Sequence, residues 1–369
     1  MNILILGNGF DIAHGLPTRY TDFLKFCRDN GDGDVVSEDE SVKREFSELI
    51  KDNVWLSYFL RNTPNLDEEK TWIDFEVEIR SAIVNICKKA FEANKKGVYV
   101  SGINEEIETI KKEEHFGKFV CFENRKLSYN VSEWYKALRD FTRAFEIYCC
   151  GKAISEAATA NFILNKDMLL MNFNEVKVET YVVSFNYTRT FEQLYDTKQP
   201  RDDKVDFNYV FIHGEASIGY AHLSKDEESP ELHGLVLGTH SFDRTAEDKN
   251  IPIEFNVFQK HNQQHKYSTL ADYQSLLKKL RDCHEPVYIF VIGHSLDKSD
   301  YAKLKHLFCE NRTADITVYY HDEVSLEKYI TNITEILGEE DVAARLKFRH
   351  QHGSTFGILR KMENEGYDE

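Results

Sequence analysis

Five short apolar runs constrain this chain more than any other feature: residues 2–6 (NILIL), 181–185 (YVVSF), 209–212 (YVFI), 287–292 (VYIFVI) and 316–320 (ITVYY). Each is rich in β-branched or aromatic residues, and most run into Gly, Asn or His. Their apolarity is continuous rather than alternating, which predicts strands covered on both faces, as in a parallel sheet. Helical patterns lie between several of them. Thr18 or Thr21 is placed to cap a helix beginning at Asp22 and breaking at Asn30-Gly31, and Ser299 to cap one carrying Tyr301, Leu304, Leu307 and Phe308. Strand and helix in alternation predict a doubly wound, Rossmann-like α/β core with a mostly parallel sheet flanked by helices.

That core is expected over residues 1–31 and 176–350. Residues 32–175 read as a large, mostly helical insertion, with helical spacing in Trp55 and Phe59, in Phe75, Ile79, Ile83 and Ile86, and in Trp134, Leu138, Phe141, Phe145 and Tyr148. Residues 351–369 read as a polar tail.

Composition narrows the function classes. Lys and Arg total 46 against 63 Asp and Glu, a formal charge of −17, which disfavours non-specific binding to nucleic acid or an anionic membrane. The seven cysteines are scattered with no C-x-x-C pair, which reads as free thiols in a reducing compartment. The chain starts without a basic n-region, and no apolar stretch approaches the roughly 18–20 residues that span a bilayer. A cytoplasmic protein is expected.

Four strand ends carry the candidate chemistry. Gly7-Asn8-Gly9-Phe10-Asp11 follows the first run, and glycines there would let backbone N–H groups approach a phosphate. The G-x-G-x-x-G dinucleotide fingerprint fails because Ile12 takes its sixth position, so a hydride-transferring dehydrogenase is not supported. The bland reading of the loop is a tight strand-to-helix turn. Ser184-Phe185-Asn186-Tyr187-Thr188 and Phe211-Ile212-His213-Gly214 close two further strands, where ligands of open α/β sheets collect. An Asn can orient a water or hydroxyl there, and a His can relay its proton. Taken singly, each is better explained as a turn or a hydrogen-bonded surface residue. The fourth end, Gly293-His294-Ser295-Leu296-Asp297-Lys298-Ser299-Asp300, offers hydroxyls and carboxylates suited to ribose; Asp297 breaks the G-x-S-x-G of a hydrolase elbow.

Other segments invite weaker readings. Trp72-Ile73-Asp74-Phe75-Glu76 fits a core-packing helix; joined by Asp11, its carboxylates would instead make an acidic Mg²⁺ site for a nucleotide phosphohydrolase or nuclease. His261-x-x-x-His265 has zinc-ligand spacing but sits in a strongly polar stretch, and His350-x-His352 lacks a third ligand. Leu235 to His240 suggests an additional strand, with packing the better reading.

The motifs GNGFD-x-x-H-GLP-T-x-Y-x-DFL (Gly7 to Leu24), W-x-DFE (Trp72 to Glu76), SFNYT (Ser184 to Thr188), IHG (Ile212 to Gly214) and GHSL-x-x-x-D (Gly293 to Asp300) resemble the AbiH family of bacterial phage abortive-infection proteins. That family in turn resembles the sirtuin-like NAD hydrolases of antiphage systems. The resemblance implies a sirtuin-like core and an abortive-infection effector that hydrolyses NAD at the nicotinamide–ribose bond. It implies catalytic Asn186 and His213, with Asp11 assisting, and nucleotide contacts from Gly7, Asn8, Gly9, Phe10, Tyr187, Gly293, His294, Ser295 and Asp300. NAD or a related nucleotide would be the substrate, with no resident cofactor or metal. A homo-oligomer is implied, with an operon-encoded or phage-derived protein as trigger. Asn8 and Asp11 stand where sirtuins usually have Ala and Ser, and the sirtuin zinc module is missing, which argues against lysine deacylation. A non-catalytic nucleotide-sensing module gating a partner is the alternative from a different class.

Overall fold

The computed structural model describes residues 1–30, 36–68, 71, 73–95, 115–123, 126–153, 178–196, 207–217, 234–242, 247–320 and 322–350. Trp72, His352 and the polar tail lie outside the described residues. In chain order the elements begin with β1 (Asn2–Leu6), α1 (Asn8–Ala13), α2 (Tyr20–Asp29), α3 (Glu40–Ile50), α4 (Val54–Asn62) and α5 (Phe75–Lys95). Next come β2 (Val120–Glu123), β3 (Lys126–Tyr129), α6 (Val131–Tyr148), β4 (Thr180–Ser184) and β5 (Phe207–Phe211). Then follow α7 (Lys260–Lys266), α8 (Ala271–Asp282), β6 (Tyr288–Ile292), α9 (Tyr301–Cys309), β7 (Asp315–Tyr320), α10 (Glu323–Leu337), α11 (Glu339–Arg345) and β8 (Leu346–His350).

The chain divides into two compact units: Met1–Arg19, Cys149–Ala216 and Ser268–Glu369 in one, Tyr20–Tyr148 and Ser217–Tyr267 in the other. The first is a six-stranded sheet in the order β5-β4-β1-β6-β7-β8, and every pairing in it is parallel. Numbered within the sheet, this is the 3-2-1-4-5-6 order of a Rossmann fold. The continuous apolar runs are the cause. β1 is buried along its whole length, with Ile3 and Ile5 facing one way and Leu4 and Leu6 the other. Ile3, Ile5, Val183, Ile289, Val291 and Val318 pack under α8, α9 and α10, each such side chain contributing about 1.5–3 kcal/mol. Leu4, Leu6 and Val182 meet Phe10, Phe191, Leu194 and Tyr195 on the opposite face. The register aligns Leu6 with Ser184 and Ile292, and Ser184 with Phe211, so four strands end level. The residues after them share one edge of the sheet.

The five predicted strands are all present, with small shifts at their ends. β8 is an addition: Leu346–His350 is short and mixed in polarity, as an edge strand can be, so its sequence reads poorly. α2 begins at Tyr20, which leaves Thr21 inside the helix, while the Thr18 hydroxyl donates to Asn8 Oδ1. Ser299 is likewise no cap; it lies within a 3-10 turn, Lys298–Asp300, ahead of α9.

The second unit is mainly helical around an aromatic core. Phe23 of α2, Phe59 of α4, Phe75 of α5 and Phe141 of α6 touch ring to ring at 4.3–5.3 Å. The Asp39 and Asn53 side chains cap α3 and α4. The expected helical spacings all fall on helices, and the β2–β3 hairpin was not foreseen because strands of four residues are too short to stand out by pattern. α2 groups here through Phe23 and Phe26, which pack on α6 and α3. Leu235, Val236 and Leu237 are buried packing residues, and Thr239 makes a single parallel bridge to Gln259. Among the described residues no helix is long and apolar enough to cross a membrane.

Candidate functional site

The glycines of the β1–α1 turn are dictated by their neighbour. The Gly7 N–H donates to Ile292 O at 3.1 Å and the Gly9 N–H to Gly293 O at 2.8 Å, so the turn is stitched to the end of β6. A Cβ at Gly7 would lie 2.4 Å from His294 Cα, and one at Gly293, where φ is +65°, would lie 2.1 Å from the Phe10 nitrogen. Two backbones meet here with no room for side chains. The N–H groups that the sequence suggested would face phosphate are therefore engaged with carbonyls of β6. Asn8 is exposed, and its side chain donates to Thr18 O and accepts from the Thr18 hydroxyl, bracing the Leu16–Thr18 turn.

Past the turn, α1 carries Asp11 inward, 1% exposed. Its Oδ2 accepts from the Thr188 hydroxyl at 2.5 Å, and Thr188 in turn accepts from Thr190 at 3.0 Å. Its Oδ1 is buried with no hydrogen-bond partner. Burial raises the Asp11 pKa from 3.8 to about 6, opposed by the side chains of Thr188, Thr190 and Asn186. Asn186, at the end of β4, is held through Nδ2 to Gly7 O at 3.0 Å, while its Oδ1 is also buried and unpartnered. Both residues line a narrow cleft with Leu6, Phe10, Phe191, Tyr209 and Phe211 among its apolar walls.

One helical turn beyond Asp11, His14 hydrogen-bonds Phe10 O through Nδ1 at 2.6 Å and the Tyr195 hydroxyl through Nε2 at 2.7 Å. Burial lowers its pKa to about 4, so at neutral pH it is an uncharged ring with Nδ1–H donating and Nε2 accepting. Its role is to pin α1 against Tyr195. His14, Thr188 and Thr190 carry this geometry, and sequence reasoning gave them no part. The available signal was the Asp11-to-His14 spacing of three, which puts both on one helix face.

A second polar group gathers at the same edge. His213 Nε2 lies 3.1 Å from Asp300 Oδ1, and His294 Nε2 lies 3.7 Å from Asp300 Oδ2. His294 Nδ1 accepts the Leu296 N–H at 2.9 Å, which fixes its proton on Nε2, toward the carboxylate. That bond also supports Leu296 at φ +57°, an uncommon conformation for a leucine. Phe185 sets its ring 4.3 Å from His294 and 5.7 Å from His213, and Tyr187 lies 6.3 Å from His213. His213 thus sits against the residues on either side of Asn186. Ser295 is exposed, and its carbonyl accepts from Asn332. The structure brings Asp11 and Asn186 together, and brings His213, His294 and Asp300 together; of these five, only the first two line the cleft.

In the helical unit, Asp74 is a capping residue whose Oδ1 accepts the Glu76 and Val77 N–H groups, and Glu76 pairs with Lys260. Both have structural employment there. Among the described residues no three His, Cys, Asp or Glu side chains are grouped to hold a metal ion. His261 and His265 meet edge to face at 4.4 Å on the exposed side of α7, whose other side buries Lys260, Gln263 and Gln264.

Comparison with known proteins gives one family: residues 3–322 match the family model described as Bacteriophage abortive infection AbiH. No curated protein matches the chain.

Proposed function

The chain belongs to the AbiH family, and with it to abortive-infection defence against phage; from that premise we propose that it acts by hydrolysing the nicotinamide–ribose bond of NAD or a related nucleotide. The observation that carries the reading is the Asp11–Asn186 pair. Two buried side-chain oxygens without partners line one cleft at the end of the sheet, where ligands of such folds collect. Leaving a buried acceptor unmatched costs roughly 1–3 kcal/mol, a cost that a ligand supplying donors would remove.

In the reaction, the bond between the anomeric carbon and the pyridinium nitrogen breaks, and its electrons neutralise the departing ring. The anomeric carbon is left cationic. Asp11, mostly ionised above about pH 6, stabilises that cation as glycosidase carboxylates do. Water forms the new bond to the anomeric carbon, and its proton goes to a base. That base is bulk water, since His213 lies outside the cleft; His213 is a positioning residue, packed on the Phe185 and Tyr187 rings that flank Asn186. Asn186, beside the His213-packed rings of Phe185 and Tyr187, orients the sugar or the water. Purified chain incubated with NAD should release nicotinamide, and Asn186→Ala or His213→Ala should lower the rate roughly a hundredfold. Equal rates in all three proteins reject the assignment. Chelator should leave the rate unchanged, which separates this chemistry from metal-assisted phosphoryl hydrolysis.

A further inference from the structure

Asp300 stands where a helix cap is expected and does not serve as one. It occupies the N-cap position of α9, where an aspartate ordinarily accepts a backbone N–H of the first turn, yet its side chain makes no capping bond. The carboxylate turns instead to two imidazoles. Its Oδ1 lies 3.1 Å from His213 Nε2 and its Oδ2 lies 3.7 Å from His294 Nε2. Both rings are buried and the Asp300 side chain is only 14% exposed, so water screens little of the attraction.

Strand order gives this bridge its meaning. The sheet runs β5-β4-β1-β6 here. His213 follows β5, His294 follows β6, and the two inner strands end level between them. At about 4.8 Å per strand, the bridge crosses roughly 14 Å of sheet. Both imidazoles pack on the Phe185 ring, His294 at 4.3 Å and His213 at 5.7 Å. Phe185 follows β4 and precedes Asn186, and the two side chains leave on opposite faces. Fixing the ring on one face therefore sets the direction of the amide on the other. A second route passes through the backbone. His294 abuts Gly7, where an added Cβ would lie 2.4 Å from His294 Cα, and Gly7 O accepts Asn186 Nδ2 at 3.0 Å. Both routes from Asp300 end at Asn186.

We propose that Asp300 is a positioning residue for the proposed hydrolysis: it clasps the loops after β5 and β6 across β4 and β1, and so holds the Asn186 side chain in place without touching sugar or water. The proposal rests on the reading of Asn186 as the group that orients the reactants. A carboxylate is needed because it alone accepts from both rings. An amide of the same shape offers one oxygen and one N–H group, so one of the two Nε2–H donors would face another donor. Asp300→Asn thus opens one arm of the clasp and leaves the volume unchanged.

The test reads Asn186 directly, by nuclear magnetic resonance on the full chain. Its side-chain amide gives a pair of N–H signals, identified by their loss in Asn186→Ala. Asp300→Asn should displace them. Asp297→Asn should not, since Asp297 lies in the same loop but pairs with Lys328 at 3.1 Å. With NAD, Asp300→Asn should lower kcat roughly ten- to hundredfold while KM stays within about twofold, because a misplaced orienting group weakens the transition state and not ground-state binding. Unmoved Asn186 signals, or a raised KM with kcat unchanged, overturn the proposal. Should Asp300→Asn fail to fold, wild type decides: two histidine ring N–H signals protected from exchange are expected, one lost in His213→Gln and the other in His294→Gln, and their absence overturns the clasp. The two readings fail separately. No nicotinamide release, with Asn186 signals displaced by Asp300→Asn, removes the reaction and keeps the clasp. Nicotinamide released with those signals unmoved does the reverse.

Discussion

Two buried carboxylates, one in each unit, show how differently this protein treats charge. Asp248 in the helical unit is fully buried and meets Arg80 with both oxygens, at 2.6 and 2.7 Å. Asp11 at the sheet edge is equally buried, yet among the described residues its Oδ2 is met by the Thr188 hydroxyl rather than by a cation, and its Oδ1 has no hydrogen-bond partner. The first arrangement ties a 3-10 turn to α5 and has the satisfaction expected of structure. The second is expensive for the fold, and such unmatched groups persist where function needs them. The contrast sets a carboxylate that stabilises its unit beside the one to which the proposed reaction assigns chemistry.

Replacing each carboxylate by its amide should therefore give opposite results. Asp11→Asn should reduce nicotinamide release by roughly 10³-fold, the scale for losing a preorganised electrostatic group. It should also stabilise the protein. The Asp11 pKa is raised in the folded state, to about 6 from 3.8, so its contribution is fully favourable only below pH 4 and is lost as pH rises through 6. By pH 7 the penalty relative to the protonated form is about 3 kcal/mol, and the amide escapes it. Urea unfolding at pH 4 and pH 7 reads this directly: wild type should weaken across that interval by more than the variant. A variant less stable than wild type at both pH values would make Asp11 a structural residue after all.

The next largest effect concerns the backbone that presents Asp11. Gly293→Ala places a methyl 2.1 Å from the Phe10 nitrogen at a φ of +65°, and no rotamer change can relieve a backbone clash. A loss of about 3 kcal/mol or more is expected by urea unfolding. Gly15→Ala is the control, since φ there is +73° but nothing lies within 4 Å; it should cost only about 1 kcal/mol. Asp248→Asn follows. It leaves Arg80, about a quarter exposed, without its counter-charge, which should cost about 2 kcal/mol, below the 3–5 of a fully buried pair. Nicotinamide release per folded molecule should stay unchanged.

The contrast also marks how far the sequence could be read. The five apolar runs revealed the sheet because a central strand needs continuous apolarity, and β1 is buried at every residue. Edge strand β8 and hairpin β2–β3 lack that pressure and escaped. Asp11, Asn186 and His213 were visible as polar residues at strand ends. What stayed hidden depended on strand order. Gly7 and Gly9 look like a phosphate loop until β6 is known to lie beside β1, whereupon Gly293 accounts for both of them. Strand alternation likewise sends Phe185 to the face of His213 and His294 and Asn186 to the face of Asp11, a split that follows from register and not from motif spacing.

The smallest expected effect is the sharpest probe of the comparison, because it alters the surroundings of Asp11 without touching its carboxyl. Thr188 donates to the carboxylate and is itself held by Thr190. Thr188→Val removes the donor while keeping the shape, so burial acts with less opposition and the Asp11 pKa should rise further above 6. Less of the Asp11 carboxyl is then ionised at neutral pH. Nicotinamide release at pH 7 should fall roughly three- to tenfold, the acid limb of the pH–rate profile should move to higher pH, and the rate should recover by about pH 8. Thr188→Ser, which restores the hydroxyl, should return the profile to its wild-type position. A uniform loss at every pH, unrelieved by serine, would mean that Thr188 only fills space and that Asp11 owes its ionisation to something else.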